Sequence, residues 1–198
     1  MTIPMNAPMS KQELSRLRCG DRVLLSGTIY TARDAAHARL CRALAEGRPL
    51  PVDLRGQTVF YAGPTPAPPG RPVGAIGPTT SVRMDAYTPA LLGYGLHAMI
   101  GKGPRGEAVR RAIKEAGAVY FAAIGGCAAY MAACVTDCRV VAYDKLGTES
   151  IKRLVVKDLP LTVAVDAEGR DYYAVGMEEY ARFAAKNAGR ALPEKDTE

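Results

Sequence analysis

The stretch DRVLLSGTIYTARDAAHARLCRALAEG, residues 21–47, contains the pattern that decides the fold. Residues 21–31 are rich in β-branched and aliphatic side chains, which favours a strand or a bent pair of strands. Residues 32–47 are rich in helix formers and end on a glycine suited to a helix C-terminus. The stretch therefore predicts a strand that leads directly into a helix, with Arg33 and Asp34 at the junction.

The same alternation continues along the chain and predicts a single α/β domain. Further strands are indicated at residues 57–63, 118–126 and 138–144, and further helices at residues 104–117, 127–135 and 177–192. Residues 151–173 predict two strands around a turn that contains Pro160. Because this late strand pair need not follow the strand–helix alternation, we expect a mixed rather than a purely parallel sheet.

The length of 198 residues is sufficient for one domain with a sizeable core, and 48% of the residues are hydrophobic. We place the domain at residues 15–190. Residues 1–14 are predicted to be a flexible N-terminus and residues 191–198, which end in PEKDTE, a mobile tail.

The charge pattern argues against nucleic acid and membranes as partners. The chain has 26 basic and 20 acidic residues, for a net charge of +6, but it contains no long block of lysine and arginine. Apolar runs fall well short of the roughly 20 residues that span a bilayer, and the first residues lack a signal-peptide core. A cytoplasmic protein is therefore expected.

The five cysteines do not have the spacing of a disulfide framework or of a self-contained metal site. Their number is odd and they include no C-x-x-C pair. We therefore expect no metal ligands in this chain. The cysteines are Cys19, Cys41, Cys127, Cys134 and Cys138.

The hexapeptide GKGPRG, residues 101–106, satisfies the G-x-G-x-x-G pattern of dinucleotide sites. A carboxylate about 20 positions further on, needed for the ribose, is missing, so the dinucleotide interpretation is disfavoured. Lys102 still lies between two glycines, where an anion can approach both its ammonium group and the backbone amides. A tight turn with a solvated lysine is the alternative.

The junction TARDAAH, residues 31–37, presents an arginine where a strand ends and a helix begins. There the planar guanidinium of Arg33 can bind both oxygens of a carboxylate, assisted by the helix N-terminus. Asp34 can complement the helix dipole or hold a basic group in place. His37 lies about one turn later, and a packing role is favoured over that of a ligand or base.

The segment GPTTSVRMDAY, residues 77–87, follows a proline-rich run that is stiff and extended. Its hydroxyl residues are typical helix caps, although three in succession exceed what one cap requires. A helical turn that started at Thr79 would bring its hydroxyl and the guanidinium of Arg83 to one site. Together with Arg33 and Lys102, Arg83 gives a set of cations suited to a small dianion such as a dicarboxylate.

The sequence as a whole strongly resembles the β subunit, or C-terminal region, of the class I iron–sulfur hydro-lyases. That family includes fumarate hydratase and L(+)-tartrate dehydratase. The resemblance covers roughly residues 10–175 and depends on long motifs in a fixed order: LSGTIYTARDAAH, YAGPTPAPPG, IGPTTSVRMDAYTP, MIGKG, VYFAAIGG and LPLTVAVDAEG.

The resemblance implies a swivelling β/β/α domain with three layers. It also implies that a separate α subunit carries a [4Fe-4S] cluster and that αβ pairs associate further. The reaction implied is the reversible hydration of fumarate to L-malate. The motifs TARDAAH and AGPTPAPPG are more similar to those of the two-subunit fumarases than to those of the tartrate enzymes. Fumarate is therefore the first candidate substrate. L(+)-tartrate, mesaconate or a non-catalytic dicarboxylate-binding module remain as alternatives.

The resemblance assigns roles to individual residues of the matching motifs. Arg33, Arg83 and Lys102 match the family's substrate-binding cations, and Thr79 matches a threonine that takes part in proton transfer. Asp34 and His37 lie inside a matching motif, and only supporting roles are expected of them.

Overall fold

The computed structural model describes residues 2–187, and within that part of the chain seven strands and six α-helices are formed. The strands are β1 (Thr2–Ala7), β2 (Arg22–Thr31), β3 (Thr58–Phe60), β4 (Ala98–Gly101), β5 (Val119–Ala122), β6 (Val135–Ala142) and β7 (Ile151–Val165). The α-helices are α1 (Lys11–Leu14), α2 (Asp34–Ala45), α3 (Thr88–Tyr94), α4 (Glu107–Ala116), α5 (Ala128–Ala133) and α6 (Tyr172–Asn187). Short 3₁₀ helices span Ser81–Met84 and Asp144–Glu149.

All seven strands belong to one mixed sheet, in the order β1-β2-β3-β4-β5-β7-β6 with an additional pairing of β2 with β7. The neighbours β2, β3, β4 and β5 run parallel, whereas β7 is antiparallel to β2, β5 and β6. The pairings β2–β3–β4–β5–β7–β2 therefore close a ring of five strands. The predicted α/β class and mixed sheet are confirmed.

Alternate side chains along the ring strands belong to two different apolar clusters. Ala98 and Ile100 of β4 enter one cluster, to which β2, β5 and β7 also contribute, so this cluster fills the ring. Met99, on the opposite face of β4, belongs to the second cluster, which contains Leu40 of α2 and Ile113 of α4. The two sides of the closed sheet therefore form two layers, and the helices packed on its outer face form the third. This is consistent with the three layers that the resemblance implied.

The strand β7 corrects one prediction. Residues 151–173 were expected to form two strands around a turn, but Ile151–Val165 is one continuous strand with a positive φ of 53° at Asp158. On one edge, β6 pairs with β7 up to Val156 and β5 pairs from Thr162. Pro160 lies in the interval between them, where that edge requires no N–H donor, so the proline does not interrupt the strand.

The N-terminal residues correct a second prediction. A flexible segment was expected at residues 1–14, yet Thr2–Ala7 pairs in parallel with β2, and Ser10 caps α1 through a capping box with Glu13. Met9 and Leu14 are buried in the ring cluster. The burial of these apolar side chains stabilises the segment, by about 1.5–3 kcal/mol for each fully buried side chain. The tail at residues 191–198 lies outside the described residues.

Candidate active site

The candidate site lies where the carboxyl ends of the parallel strands meet. The register pairs Thr31 with Phe60 and Phe60 with Ile100, so β2, β3 and β4 end at one level. In α/β sheets, ligands bind in the crevice outside the carboxyl ends of parallel strands. Arg33 follows β2 by two residues and Lys102 follows β4 directly. The fold thus brings two of the four predicted substrate or catalytic residues to the same edge of the sheet.

Asp34 connects two predicted substrate-binding arginines. Its Oδ1 accepts a hydrogen bond of 2.8 Å from Nε of Arg83, and its Oδ2 lies 3.6 Å from Nη2 of Arg33. Within residues 2–187, the buried Arg33 Nε and Asp34 Oδ2 atoms have no hydrogen-bond partner. Arg33 and Arg83, which are 50 positions apart in sequence, therefore lie at one carboxylate.

Glu149 is a member of this cluster that the sequence analysis missed. Its Oε1 lies 3.8 Å from Nη2 of Arg33, and its Oε2 accepts a 2.9 Å hydrogen bond from the backbone N–H of Ala35, in the first turn of α2. An acidic side chain at a helix N-terminus is favoured by the helix dipole. Glu149 is thus a second carboxylate beside Arg33, and no local pattern in the sequence signals it.

Thr79 and Lys102 are brought together by backbone pairing. The N–H of Lys102 donates to the carbonyl of Thr79 over 3.3 Å, and the N–H of Ser81 donates to the carbonyl of Lys102 over 2.9 Å. These bonds form a parallel bridge between Thr80 and Lys102. The segment from Thr79 to Ser81 therefore extends the sheet beside the end of β4, and both Thr79 and Lys102 remain partly exposed.

The 3₁₀ helix Ser81–Met84 differs from the predicted capped helix. The residue before it, Thr80, makes no side-chain capping bond, and the Ser81 hydroxyl donates to the hydroxyl of Tyr120 over 2.9 Å. The predicted hydroxyl cap is therefore wrong. The predicted helical turn starting at Thr79 is also wrong, since Thr79 precedes the bridge residue Thr80 and the helix begins at Ser81.

Two glycines provide the space occupied by the site cations. A Cβ at Gly63 would lie 3.3 Å from Nη1 of Arg33, and a Cβ at Gly125 would lie 3.7 Å from Nζ of Lys102. A Cβ at Gly63 would crowd the Arg33 side chain, whereas a Cβ at Gly125 would make only ordinary van der Waals contact with Lys102. The sequence shows these glycines only as the residues that follow β3 and β5.

His37 is fully buried beside this cluster. Its Nδ1–H donates to the carbonyl of Arg33 over 2.9 Å, which leaves Nε2 unprotonated and without a hydrogen-bond partner among residues 2–187. The ring meets Tyr61 edge to face at 5.2 Å. Burial lowers the pKa of His37 from 6.5 to about 4, with a further lowering from Arg105.

The buried His37 predicts a pH-dependent stability. Between pH 4 and 6.5 the unfolded chain binds a proton at this position that the folded chain does not, so stability falls as pH falls through this window. From about pH 7 to about pH 5, we expect a contribution of about 2 kcal/mol to the loss in free energy of unfolding. Urea titrations of wild type and His37→Gln measure it.

The loss should be smaller in His37→Gln and unchanged in His97→Gln, which removes the second histidine of the chain. Equal losses in wild type and His37→Gln would show that His37 does not titrate in this way.

Arg105 of the GKGPRG loop is buried and was not predicted to belong to the site. Its Nε donates to Asp85 Oδ1 over 2.7 Å, and the N–H of Gly106 donates to Asp85 Oδ2 over 2.7 Å. The carboxylate of Asp85 thus occupies the start of α4, where a dinucleotide pyrophosphate would bind. This arrangement agrees with the sequence argument against a dinucleotide site.

The described part of the chain contains neither a metal-binding cluster nor a membrane-spanning helix. Among residues 2–187, no group of three or more His, Cys, Asp and Glu side chains is placed to hold a metal ion. Within the same residues, no helix is long and apolar enough to cross a bilayer.

Comparisons with known proteins agree on one family. A family model described as Fumarase C-terminus matches residues 1–176. The chain is 36% identical over 176 residues to fumarate hydratase 2 of Leishmania major, an alignment that covers 87% of this chain and 31% of that protein. It is 37% identical over 175 residues to the anaerobic class I fumarate hydratase of Escherichia coli strain K12, covering 86% and 32%.

A shorter relative matches over most of its length. The putative L(+)-tartrate dehydratase subunit beta of Methanocaldococcus jannaschii is 36% identical over 175 residues, covering 83% of this chain and 88% of that subunit. The chain thus spans about a third of the length of the fumarate hydratases that it matches. Because the family model matches residues 1–176 of 198, this chain belongs to the fumarase C-terminus family.

Proposed function

We propose that this chain is the β half of a class I hydro-lyase that catalyses the reversible hydration of fumarate to L-malate. The observation that carries the proposal is the sheet edge at which Arg33 and Arg83 share the Asp34 carboxylate and the carbonyl of Thr79 accepts a hydrogen bond from the N–H of Lys102. The family membership supports this choice, since relatives in the family are named fumarate hydratases.

The cations explain how a dicarboxylate is bound. Asp34 and Glu149 balance the charges of Arg33 and Arg83, so Lys102 supplies positive charge in excess at the site. Arg33 and Arg83 are assigned to one carboxylate of the substrate, since a guanidinium can bind a carboxylate by two parallel hydrogen bonds. In this proposal Lys102 binds the second carboxylate.

Thr79 is proposed to take part in proton transfer at the reacting carbon. A threonine hydroxyl is a weak base near neutral pH, so it requires a second group that accepts or supplies the proton. Its backbone is held on both sides, by the carbonyl of Tyr61 at 2.7 Å and the N–H of Lys102 at 3.3 Å. This leaves the side chain as the part free to contact substrate.

A [4Fe-4S] cluster, when bound, supplies a Lewis acid in this family's chemistry. The described residues do not offer a ligand set that fits a cluster. We propose, as the resemblance to the class I hydro-lyases implies, that a partner α subunit holds the cluster, and we assign to this chain the binding and orientation of the dicarboxylate.

A second candidate is L(+)-tartrate dehydration. It is favoured by the putative tartrate dehydratase subunit beta, whose length the alignment nearly spans, as expected for a separate β chain. The same cations would also bind mesaconate, and they would bind a dicarboxylate equally in a module without catalytic activity.

Anaerobic reconstitution tests the proposed function. The chain is combined with the cluster-bearing polypeptide that copurifies with it from its host, and malate formation from fumarate is followed by absorbance. Tartrate and mesaconate are assayed in parallel. We expect fumarate to give the highest kcat/KM. Turnover of none of the three by a pair with an intact cluster would refute the proposal.

Thr79→Val should lower kcat more than it raises KM. The substitution keeps the shape of the side chain and removes the hydroxyl, so an effect of about 100-fold is expected from the loss of acid–base catalysis. Thr80→Val is the matched control, because the side chain of Thr80 is exposed and makes no capping bond. Turnover at the wild-type level in Thr79→Val would exclude the hydroxyl from the chemistry.

A further inference from the structure

Two segments of the candidate site are joined beneath it by buried polar groups. The first segment comprises residues 79–84 and contains Thr79 and Arg83. The second is the loop 102–106, which begins with Lys102. The backbone bridge between Thr80 and Lys102 fixes only their near ends. The rest of the two segments is held together by side chains outside the set of predicted site residues.

The hydroxyl of Tyr120 is the first of these connections. It donates to the carbonyl of Gly103 over 2.8 Å and accepts a 2.9 Å hydrogen bond from the hydroxyl of Ser81. Tyr120 is fully buried in β5, and burial raises the pKa of its hydroxyl, which stays protonated as a donor. The N–H of Gly103 donates to the hydroxyl of Tyr173 over 3.2 Å, so Gly103 is held on both sides.

The guanidinium of Arg105 is the second connection. Its Nη2 donates to the Thr88 hydroxyl over 2.7 Å and its Nε to Asp85 over 2.7 Å, and the residue is only 4% exposed. Its central carbon lies 4.9 Å from the ring centre of Tyr120 and 5.4 Å from that of Tyr61, within range of cation–π attraction. The loop is therefore fastened to the residues that follow Arg83.

We propose that Tyr120 and Arg105 are positioning residues that set the separation between Lys102 on one segment and Thr79 and Arg83 on the other. This inference rests on the proposed function for its catalytic consequence. If the two carboxylates of one substrate are bound by cations on the two segments, loosening the connection weakens binding of substrate and transition state alike. The expected change is then in KM rather than in kcat.

Tyr120→Phe is the primary test, because it keeps the buried ring next to Arg105 and removes only the hydroxyl. In the reconstituted enzyme we expect KM for fumarate to rise about ten-fold, while kcat changes less than about three-fold. Tyr94→Phe is the matched control, since the hydroxyl of Tyr94 bonds to Asp53 elsewhere on the surface. Arg105→Lys keeps the positive charge but loses the planar set of guanidinium N–H donors, so it should also raise KM.

Hydrogen exchange of the chain alone tests the connection without any assay of activity. In Tyr120→Phe the backbone amides of Ser81 and Lys102, which form the bridge, should exchange at least about ten-fold faster, while amides between β2 and β7 stay unchanged. Tyr94→Phe should leave all of these amides at wild-type rates.

Three outcomes decide the inference. Faster exchange confined to the bridge, together with a raised KM, supports it. Unchanged exchange and unchanged KM overturn it, and so does faster exchange that spreads equally to β2 and β7, because that indicates general destabilisation. If the wild-type pair turns over no substrate, the proposed function alone fails and the exchange measurement still decides whether the two segments are coupled.

Discussion

Gly101→Ala is expected to lower the free energy of unfolding by about 3 kcal/mol or more and to abolish activity. Gly101 is buried at the end of β4. A Cβ there would overlap the hydroxyl of Ser81 and lie 2.9 Å from Cδ2 of the buried Tyr61 ring. Neither neighbour can move into solvent. Relief of the overlap therefore shifts Ser81, and with it the segment that bears Thr79 and Arg83.

Chemical denaturation and the fumarate assay measure the two effects of Gly101→Ala. Gly93→Ala is the matched control, since a Cβ at Gly93 in α3 meets no atom within 4 Å. Alanine should stabilise that helix by up to about 1 kcal/mol. Equal stabilities of Gly101→Ala and wild type would contradict the close contact between β4 and Ser81.

Arg83→Ala is expected to lower kcat/KM for fumarate by about 30-fold to 1000-fold, which corresponds to about 2–4 kcal/mol of transition-state stabilisation. The reason is the loss of a guanidinium partner of the substrate dianion. The Arg83 side chain is 52% exposed, so its ion pair with Asp34 adds only about 0–1 kcal/mol to folding. Activity should therefore fall far more than stability.

Steady-state kinetics of the reconstituted enzyme, together with thermal melts, separate these two effects of Arg83→Ala. The matched control is Arg111→Ala, which removes an exposed arginine that forms an ion pair with Glu107 on α4. The control should keep both kcat/KM and melting temperature. An Arg83→Ala variant with wild-type kcat/KM would remove Arg83 from the substrate site.

The local part of the fold was predictable from the sequence. The strand and helix at residues 21–47 are β2 and α2, and Arg33 and Asp34 lie at their junction as predicted. Each of these placements depends on periodicity and end signals within about one helix or strand, which are the features that a single sequence carries.

The partners of these residues were not predictable, because they lie far away in the chain. The Asp34 carboxylate meets Arg83 at a separation of 49 residues, and Glu149 bonds to Ala35 at a separation of 114. The predicted hydroxyl cap was wrong for the same reason, since a buried tyrosine 39 residues away binds the Ser81 hydroxyl. Tertiary partners outweighed the local capping preference.

The closure of the ring by β2 and β7 has a consequence for how the chain folds. Ser26 and Asp158, which are joined by a hydrogen bond between these strands, lie 132 residues apart. Contacts of such sequence separation form late and slow folding, because the entropy of closing a long loop is lost before they are gained. During synthesis, the antiparallel edge of β2 therefore remains unpaired until nearly the whole domain has left the ribosome.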